Sequence, residues 1–315
     1  MRNSWLRKSL IVGTIIVLVG ASVVSAFSRN VSIDSKPLNR GNTLYVGGSG
    51  PGNFSKIQDA INASSDGDTI YVYPGLYIEL LVINQSISLF GANKNTTIID
   101  GNNTYQKSTI KITKDTVSIT NFTIQNGDNC GIIIYSSDNK IYKNIVINNS
   151  YVGIYLYRDS SNNWIYQNIL KNNYNGIICH GKLNQCSQNI IENNEYWGIL
   201  ITGKSNLCSE NSISNNDYGV YLSYAFNATI RRNNFVNNKI HVFFYVDYTT
   251  TLSNKWENNF YSPQKERYLK IILGHVQTRF YHWAGPSHGQ YKVYIFRPGF
   301  NVDWHPAQEP YDIGG

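Results

Sequence analysis

Residues 153–173 read GIYLYRDSSNNWIYQNILKNN, and the same phrase recurs on either side of them. Residues 131–149 are GIIIYSSDNKIYKNIVINN, 176–194 are GIICHGKLNQCSQNIIENN, 198–216 are GILITGKSNLCSENSISNN and 219–238 are GVYLSYAFNATIRRNNFVNN. The leading glycines Gly131, Gly153, Gly176, Gly198 and Gly219 lie 22, 23, 22 and 21 residues apart. Asn-Asn pairs beginning at 148, 172, 193, 215 and 237 keep the same time. A fixed period of this length means stacked copies of one supersecondary unit, because a single copy cannot bury its own apolar face.

Within each copy the residue after the glycine is Ile132, Ile154, Ile177, Ile199 or Val220, and two further on stand Ile134, Leu156, Cys179, Ile201 and Leu222. The position between them is mixed: Ile133, Tyr155, Ile178, Leu200, Tyr221. Alternation with period two is the pattern of a strand with one face inward. A second inward column follows at Val146, Leu170, Ile191, Ile213 and Phe235. No copy shows the three-and-four spacing of a helix, so short strands joined by Asn, Ser, Gly and Asp corners are predicted. A coil of such strands sets like residues about 4.8 Å apart. About ten turns of roughly 22 residues, an all-β parallel coil, account for the chain from 44 to 262.

Asn144, Asn168, Asn189, Asn211 and Asn233 precede the second strand at a constant offset. An amide carries a donor and an acceptor, so stacked amides can bond to the turns above and below. Asparagine also tolerates left-handed backbone at a sharp corner. Solvated loop asparagines are the alternative. Cys186 and Cys208 share an offset that other copies fill with Ile141, Ile165 and Ile230, which points both thiols inward. Packed thiols and a disulfide both remain open, with in-register neighbours fitting the disulfide dihedral poorly. Cys130 has no evident partner.

Charged residues make up only 15% of the chain. The formal net charge of +7 becomes +4 when residues 1–26 are set aside, since they hold Arg2, Arg7 and Lys8 and no acid. No basic stripe interleaves with aromatics, so nucleic acid is a poor partner. Residues 1–26 have a basic start, an apolar run from Leu10 and a small-residue end at Ala26. That is the plan of a secretory signal cleaved after Ala26, or of a retained N-terminal anchor, the only expected membrane contact. Either places the body outside the cytoplasmic membrane, and the sequons at Asn84, Asn121 and Asn227 fit an exported protein.

Residues 27–43 read as a polar linker. Ser55-Lys-Ile-Gln58 has the form of a capping box, and Ile57, Ala60 and Ile61 make one apolar helical face. A short helix here would cover the open end of the first coil. Strands are expected at Ile70–Tyr73, Leu81–Ile83, Ile87–Phe90 and Thr97–Ile99, with turns at Pro74-Gly75 and Gly91. After 262 the pattern stops, and residues 263–315 read as a C-terminal cap.

KIQDAINASSDGDTIYVYPGLY, followed by ISLFGANKNTTIIDG, resembles the N-terminal cap of right-handed parallel β-helix proteins of the pectate-lyase-like superfamily. The G-I-x-L…N-x-I-x-x-N turns are similar to its NosD-type, carbohydrate-binding and sugar-hydrolase (CASH) branch. The tail around Trp304-His-Pro-Ala and Pro310-Tyr-Asp-Ile resembles the ending of exported archaeal proteins of that kind. The resemblance implies a right-handed single-stranded coil over residues 44–315 and leaves activity open, because the superfamily includes lyases, hydrolases, esterases, epimerases and binding proteins. Its catalytic sets do not carry over. There is no Asp-Asp pair, and His180-Gly181-Lys182, Arg231-Arg232 and Asp303-Trp304-His305 are only fragments of the family patterns.

The NosD likeness implies copper, yet Met1 is the sole methionine, and copper(I) favours Met and Cys. Cys179 and His180, adjacent on a strand, face opposite ways. His275, His282, His288 and His305 in the tail are the remaining candidates, and no cofactor is expected. Glu192, Glu195, Glu210 and Asp217 fall on consecutive turns, as a groove or as a solvated face.

The aromatics carry the stronger lead. Tyr135 and Tyr157 share an outward column with His180, Tyr155 shares another with Tyr221, and Tyr151, Tyr174, Tyr196, Trp197 and Tyr218 gather before the glycines. Aromatic faces bind sugar rings and a tyrosine tip bonds hydroxyls; tyrosine also simply suits exposed strands. The expectation is an exported, non-catalytic repeat protein with a glycan partner or a structural, adhesive surface role. A polysaccharide-active enzyme and a copper accessory are the alternatives.

Overall fold

A computed structural model describes residues 41–247, 253–262, 270–283, 290–303, 307 and 309–313. The expected signal or anchor at 1–26 and most of the linker lie outside the described residues. From Thr43 the chain winds as a right-handed parallel β-helix of about ten turns, with three strands to a turn. Among the described residues the first sheet holds ten strands, the second nine and the third ten. One turn shows the plan: Cys130–Ile134 lies in the third sheet, Lys140–Tyr142 in the first and Ile145–Ile147 in the second, before Val152–Leu156 re-enters the third directly beside its predecessor.

Register follows the repeat. Ile132 pairs with Ile154, which pairs with Ile177, Ile199 and Val220 in turn. Val146, Leu170, Ile191, Ile213 and Phe235 stack likewise in the second sheet. These side chains are fully buried, and each contributes roughly 1.5–3 kcal/mol by leaving water. The glycine column has a steric cause. A Cβ on Gly176 would stand 2.5 Å from the carbonyl oxygen of Gly198 and 2.8 Å from Ile191, and the equivalent clash recurs at Gly131, Gly153, Gly198 and Gly219.

Each corner is a two-residue device. The first residue takes left-handed backbone: Asp138, Lys143 and Asn148 in one turn, then Asn162, Gln167 and Asn172 in the next. The second is a buried asparagine. Asn168 donates its backbone N–H to Asn189 Oδ1 (3.0 Å), and its Nδ2 donates to the same oxygen (3.1 Å) and to the Ile141 carbonyl (2.8 Å). Its own Oδ1 accepts from the backbone and side chain of Asn144. The expected ladder Asn144–Asn168–Asn189–Asn211–Asn233 is thus present and extends to Asn259. Left-handed geometry belongs to the residue before each ladder asparagine, not to the ladder residue.

Two further ladders stand at the other corners. Asn139, Asn163, Asn184 and Asn206 form one, and Asn149, Asn173, Asn194, Asn216 and Asn238 the other. All three begin in a single turn. There Asn139, Asn144 and Asn149 accept from the backbone N–H groups of Val117, Phe122 and Gly127.

The helix Ile57–Ala63 buries Ile57, Ala60 and Ile61 at the N-terminal end of the coil. The capping box does not form: Lys56 is the N-cap and makes no side-chain cap bond. Glu79 takes over, its two carboxylate oxygens accepting from Ile57 N–H (2.9 Å) and Gln58 N–H (3.0 Å). Gln58 instead bridges to Val82, whose N–H donates to Oε1 at 2.8 Å. An ionised acceptor at a helix N-terminus out-competes a neutral hydroxyl. Gly75–Ile78, expected to begin in a turn, is a strand paired with Thr97–Asp100.

Beyond 262, Lys270–Trp283 pairs in parallel with Ile240–Asp247 and antiparallel with Gln290–Asp303. This hairpin extends the third sheet. Ala307 N–H donates to Asn259, and Tyr311 exchanges two bonds with Asn234.

Candidate functional site

The outer face of the third sheet gathers the sequence-predicted aromatics. Its central column runs Ile133, Tyr155, Ile178, Leu200, Tyr221, Phe243. Beside it the positions before the five glycines hold Cys130, Val152, Asn175, Trp197 and Tyr218. Cys130, Ile133, Val152, Ile178 and Leu200 form an apolar cluster separate from the interior core, with Tyr155, Trp197 and Tyr221 packed on it. From Ile133 to Phe243 the column contains no charged residue. Strands of a parallel sheet read this way when both faces are covered.

Two ring clusters edge the floor. Tyr135 meets Tyr157 at 4.8 Å, Tyr157 meets Tyr155 at 6.0 Å, and Tyr155 meets His180 edge-on at 5.3 Å. The longer one starts at Tyr151 and passes through Tyr174 (6.4 Å), Tyr196 (6.0 Å) and Trp197 (4.8 Å). It continues by Tyr218 and Tyr221 to Phe243, with Tyr221–Phe243 at 5.4 Å. Tyr135, Tyr151, Tyr157 and Tyr174 are exposed, and Tyr155, Tyr196, Trp197, Tyr218 and Tyr221 are half-buried. The nine aromatics singled out in the sequence therefore lie along the outer side of the third sheet and its edges. Phe243, just past the tight repeats, is the member that the repeat pattern missed.

Burial, with Tyr151 and the Cys130 thiol nearby, pushes the Tyr155 hydroxyl up to about 12, so it stays a hydrogen-bond donor at neutral pH. Burial, with Arg158 adding to it, holds His180 below its ordinary value. Its Nδ1 is hydrogen-bonded to the Thr202 hydroxyl. The four acids do not converge. Glu210 is tied to Arg232 (3.5 Å) and Asp217 lies by Lys239 (3.8 Å). Glu192 stands between Lys171 and Ser214 on the second sheet, and Glu195 lines a shallow hollow with Tyr174 at the third corner.

The four cysteines are free and buried. Cys186 and Cys208 are register partners in the core, as the shared offset predicts. Burial pushes the Cys130 and Cys208 thiols up to about 12. Among the described residues no group of three or more His, Cys, Asp or Glu side chains could hold a metal ion.

Against this geometry, the family model for the periplasmic copper-binding protein NosD matches residues 61–272. The chain belongs to the NosD family. A periplasmic family fits an extracytoplasmic body; among the described residues no helix is long and apolar enough to cross a membrane. No curated protein matches the sequence. Among solved structures, pectate lyase Pel9A is 14% identical with a TM-score of 0.50, covering 66% of this chain and 75% of that one. Pectin methylesterase from Aspergillus niger is 17% identical with a TM-score of 0.47, covering 71% and 86%. At such identities the Pel9A likeness speaks for the fold.

The copper of the NosD description does not fit the described side chains. The four thiols are buried, and His180 stands beside the positive Arg158. His275 and His282 fall on the strand Lys270–Trp283, while His288 and His305 lie outside the described residues.

Proposed function

We propose that this NosD-family chain is an exported, non-catalytic β-helix that binds glycans along the outer face of its third sheet, in a surface role. The observation that carries the reading is the unbroken run of ring contacts from Tyr151 to Phe243, set on an apolar floor and rimmed by tyrosine hydroxyls. Sugar rings present apolar C–H faces edged by hydroxyls, and such a surface meets both. Successive turns repeat the platform at about 4.8 Å, so an extended saccharide would find the same partners along its length.

A glycan array on the full chain, followed by calorimetry on the hits, tests this. Trp197→Ala and Tyr221→Ala are expected to weaken a hit about tenfold or more, as loss of a stacking platform does. Unchanged affinity in both variants would reject the face. New reducing ends or 4,5-unsaturated uronates on incubation with polysaccharides would instead make it an enzyme. The family description supports a second reading, copper handling, for which the tail histidines are the remaining donors. Tight copper binding that is lost in His282→Ala would promote it.

A further inference from the structure

The corner between the first and second sheets holds a cleft of about 570 Å³ that the aromatic face does not reach. Its lining includes Asn93, Lys94 and Asn95 from one loop and Asn121, Lys143 and Gln167 from the same corner position of three successive turns. The loop is built rather than loose. Thr96 and Thr97 donate backbone N–H groups to the Asn93 carbonyl, Asn95 N–H donates to Asn93 Oδ1, and the Thr123 hydroxyl donates to the Lys94 carbonyl at 2.6 Å.

The charge is one-sided. No carboxylate lines the cleft, and neither Lys94 nor Lys143 has an ion-pair partner among the described residues. Further along the same corner, a second hollow of about 330 Å³ shares Gln167 and runs past Gln188 and Arg232 to Tyr311. Two acids line that hollow, Glu210, which is engaged by Arg232 and by the Gln188 amide (3.1 Å), and Asp312, so the one-sided charge belongs to the larger cleft. Two uncompensated ammonium groups, four amides and a run over several turns together describe a binding surface for an extended anion rich in hydrogen-bonding groups. A volume within the usual range of ligand pockets exceeds the need of a single inorganic ion.

We infer that this corner is a second ligand site, taking an acidic oligosaccharide whose carboxylate or sulfate groups pair with Lys94 and Lys143 while its hydroxyls bond the flanking amides. The inference stands on the cleft alone, apart from the aromatic face.

Calorimetry on the full chain with an oligouronate, a sulfated oligosaccharide and a neutral oligosaccharide of equal length tests it. The variant is Lys94→Gln combined with Lys143→Gln; glutamine already fills the latter position in the next two turns, as Gln167 and Gln188. At least one acidic ligand should bind, weaken at high salt, and lose about tenfold or more in the double variant. Trp197→Ala should leave that corner binding in place. Whichever acidic ligand binds identifies the headgroup. Failure of both acidic ligands, equal binding by the neutral one, or full affinity in the double variant would overturn the site. Loss of acidic-ligand binding only in Trp197→Ala would overturn it while leaving the aromatic face standing.

Discussion

A single ladder asparagine closes bonds in three directions inside a buried corner. Asn189→Leu strips an acceptor from the Asn168 backbone and side chain and a donor from the Ile165 carbonyl. Each orphaned buried group costs about 1–3 kcal/mol, so a clear fall in Tm is expected by calorimetry. Gln188→Leu, one residue earlier on the surface, should cost under about 1 kcal/mol; equal losses would refute the ladder's role. His180 gives a pH signature. Its folded pKa is depressed below 6.5 by burial and Arg158, so its stabilising contribution is present above 6.5 and lost as pH falls through the lowered value. His180→Gln should flatten the Tm profile over that window. Burial holds the Cys130 and Cys208 thiols above their ordinary value, and a hydrogen bond with Cys179, together with burial, does so for Cys186. These three should stay unreactive to a disulfide reagent in the native state and react only on unfolding.

At the scale of elements, the helix Ile57–Ala63 depends on a carboxylate 22 residues from its first turn. Glu79→Ala removes both acceptors and should destabilise by about 1 kcal/mol, with faster hydrogen exchange at Ile57 and Gln58. Glu79→Gln, which keeps one carbonyl oxygen, should lose less. The capping-box pattern at Ser55–Gln58 was legible and misleading, since sequence spacing does not show which distant acid the coil delivers over a helix end. The strands of the repeats, by contrast, were legible because period-two burial is a local property. The strand Gly75–Ile78 was hidden by its position directly after Pro74.

For the whole molecule, contacts pass from turn to neighbouring turn, so damage should remain local. Tyr311 ties the C-terminal segment to Asn234, to the Asn258 carbonyl and over the Arg232 guanidinium. Tyr311→Ala keeps the two backbone bonds to Asn234 but loses the hydroxyl bond to Asn258 and the ring over Arg232. It should therefore raise hydrogen exchange across residues 228–237 and 255–262 and leave residues 69–125 unchanged. A uniform increase would mean that the coil unfolds as one unit.

The repeat alone determined the parallel coil, the inward columns and the Asn144 ladder, because equivalent residues in stacked turns must share an environment. The aromatics, too, could be placed on outward positions from alternation. Only the tertiary structure decided that Ile133, Ile178 and Leu200 form a floor beneath those rings, that all three corners carry ladders, and that Lys94 meets Lys143 across a cleft. Those are matters of which turn lies beside which and how a corner directs its side chains. Such placements arise from winding the chain in three dimensions, and no linear spacing encodes them.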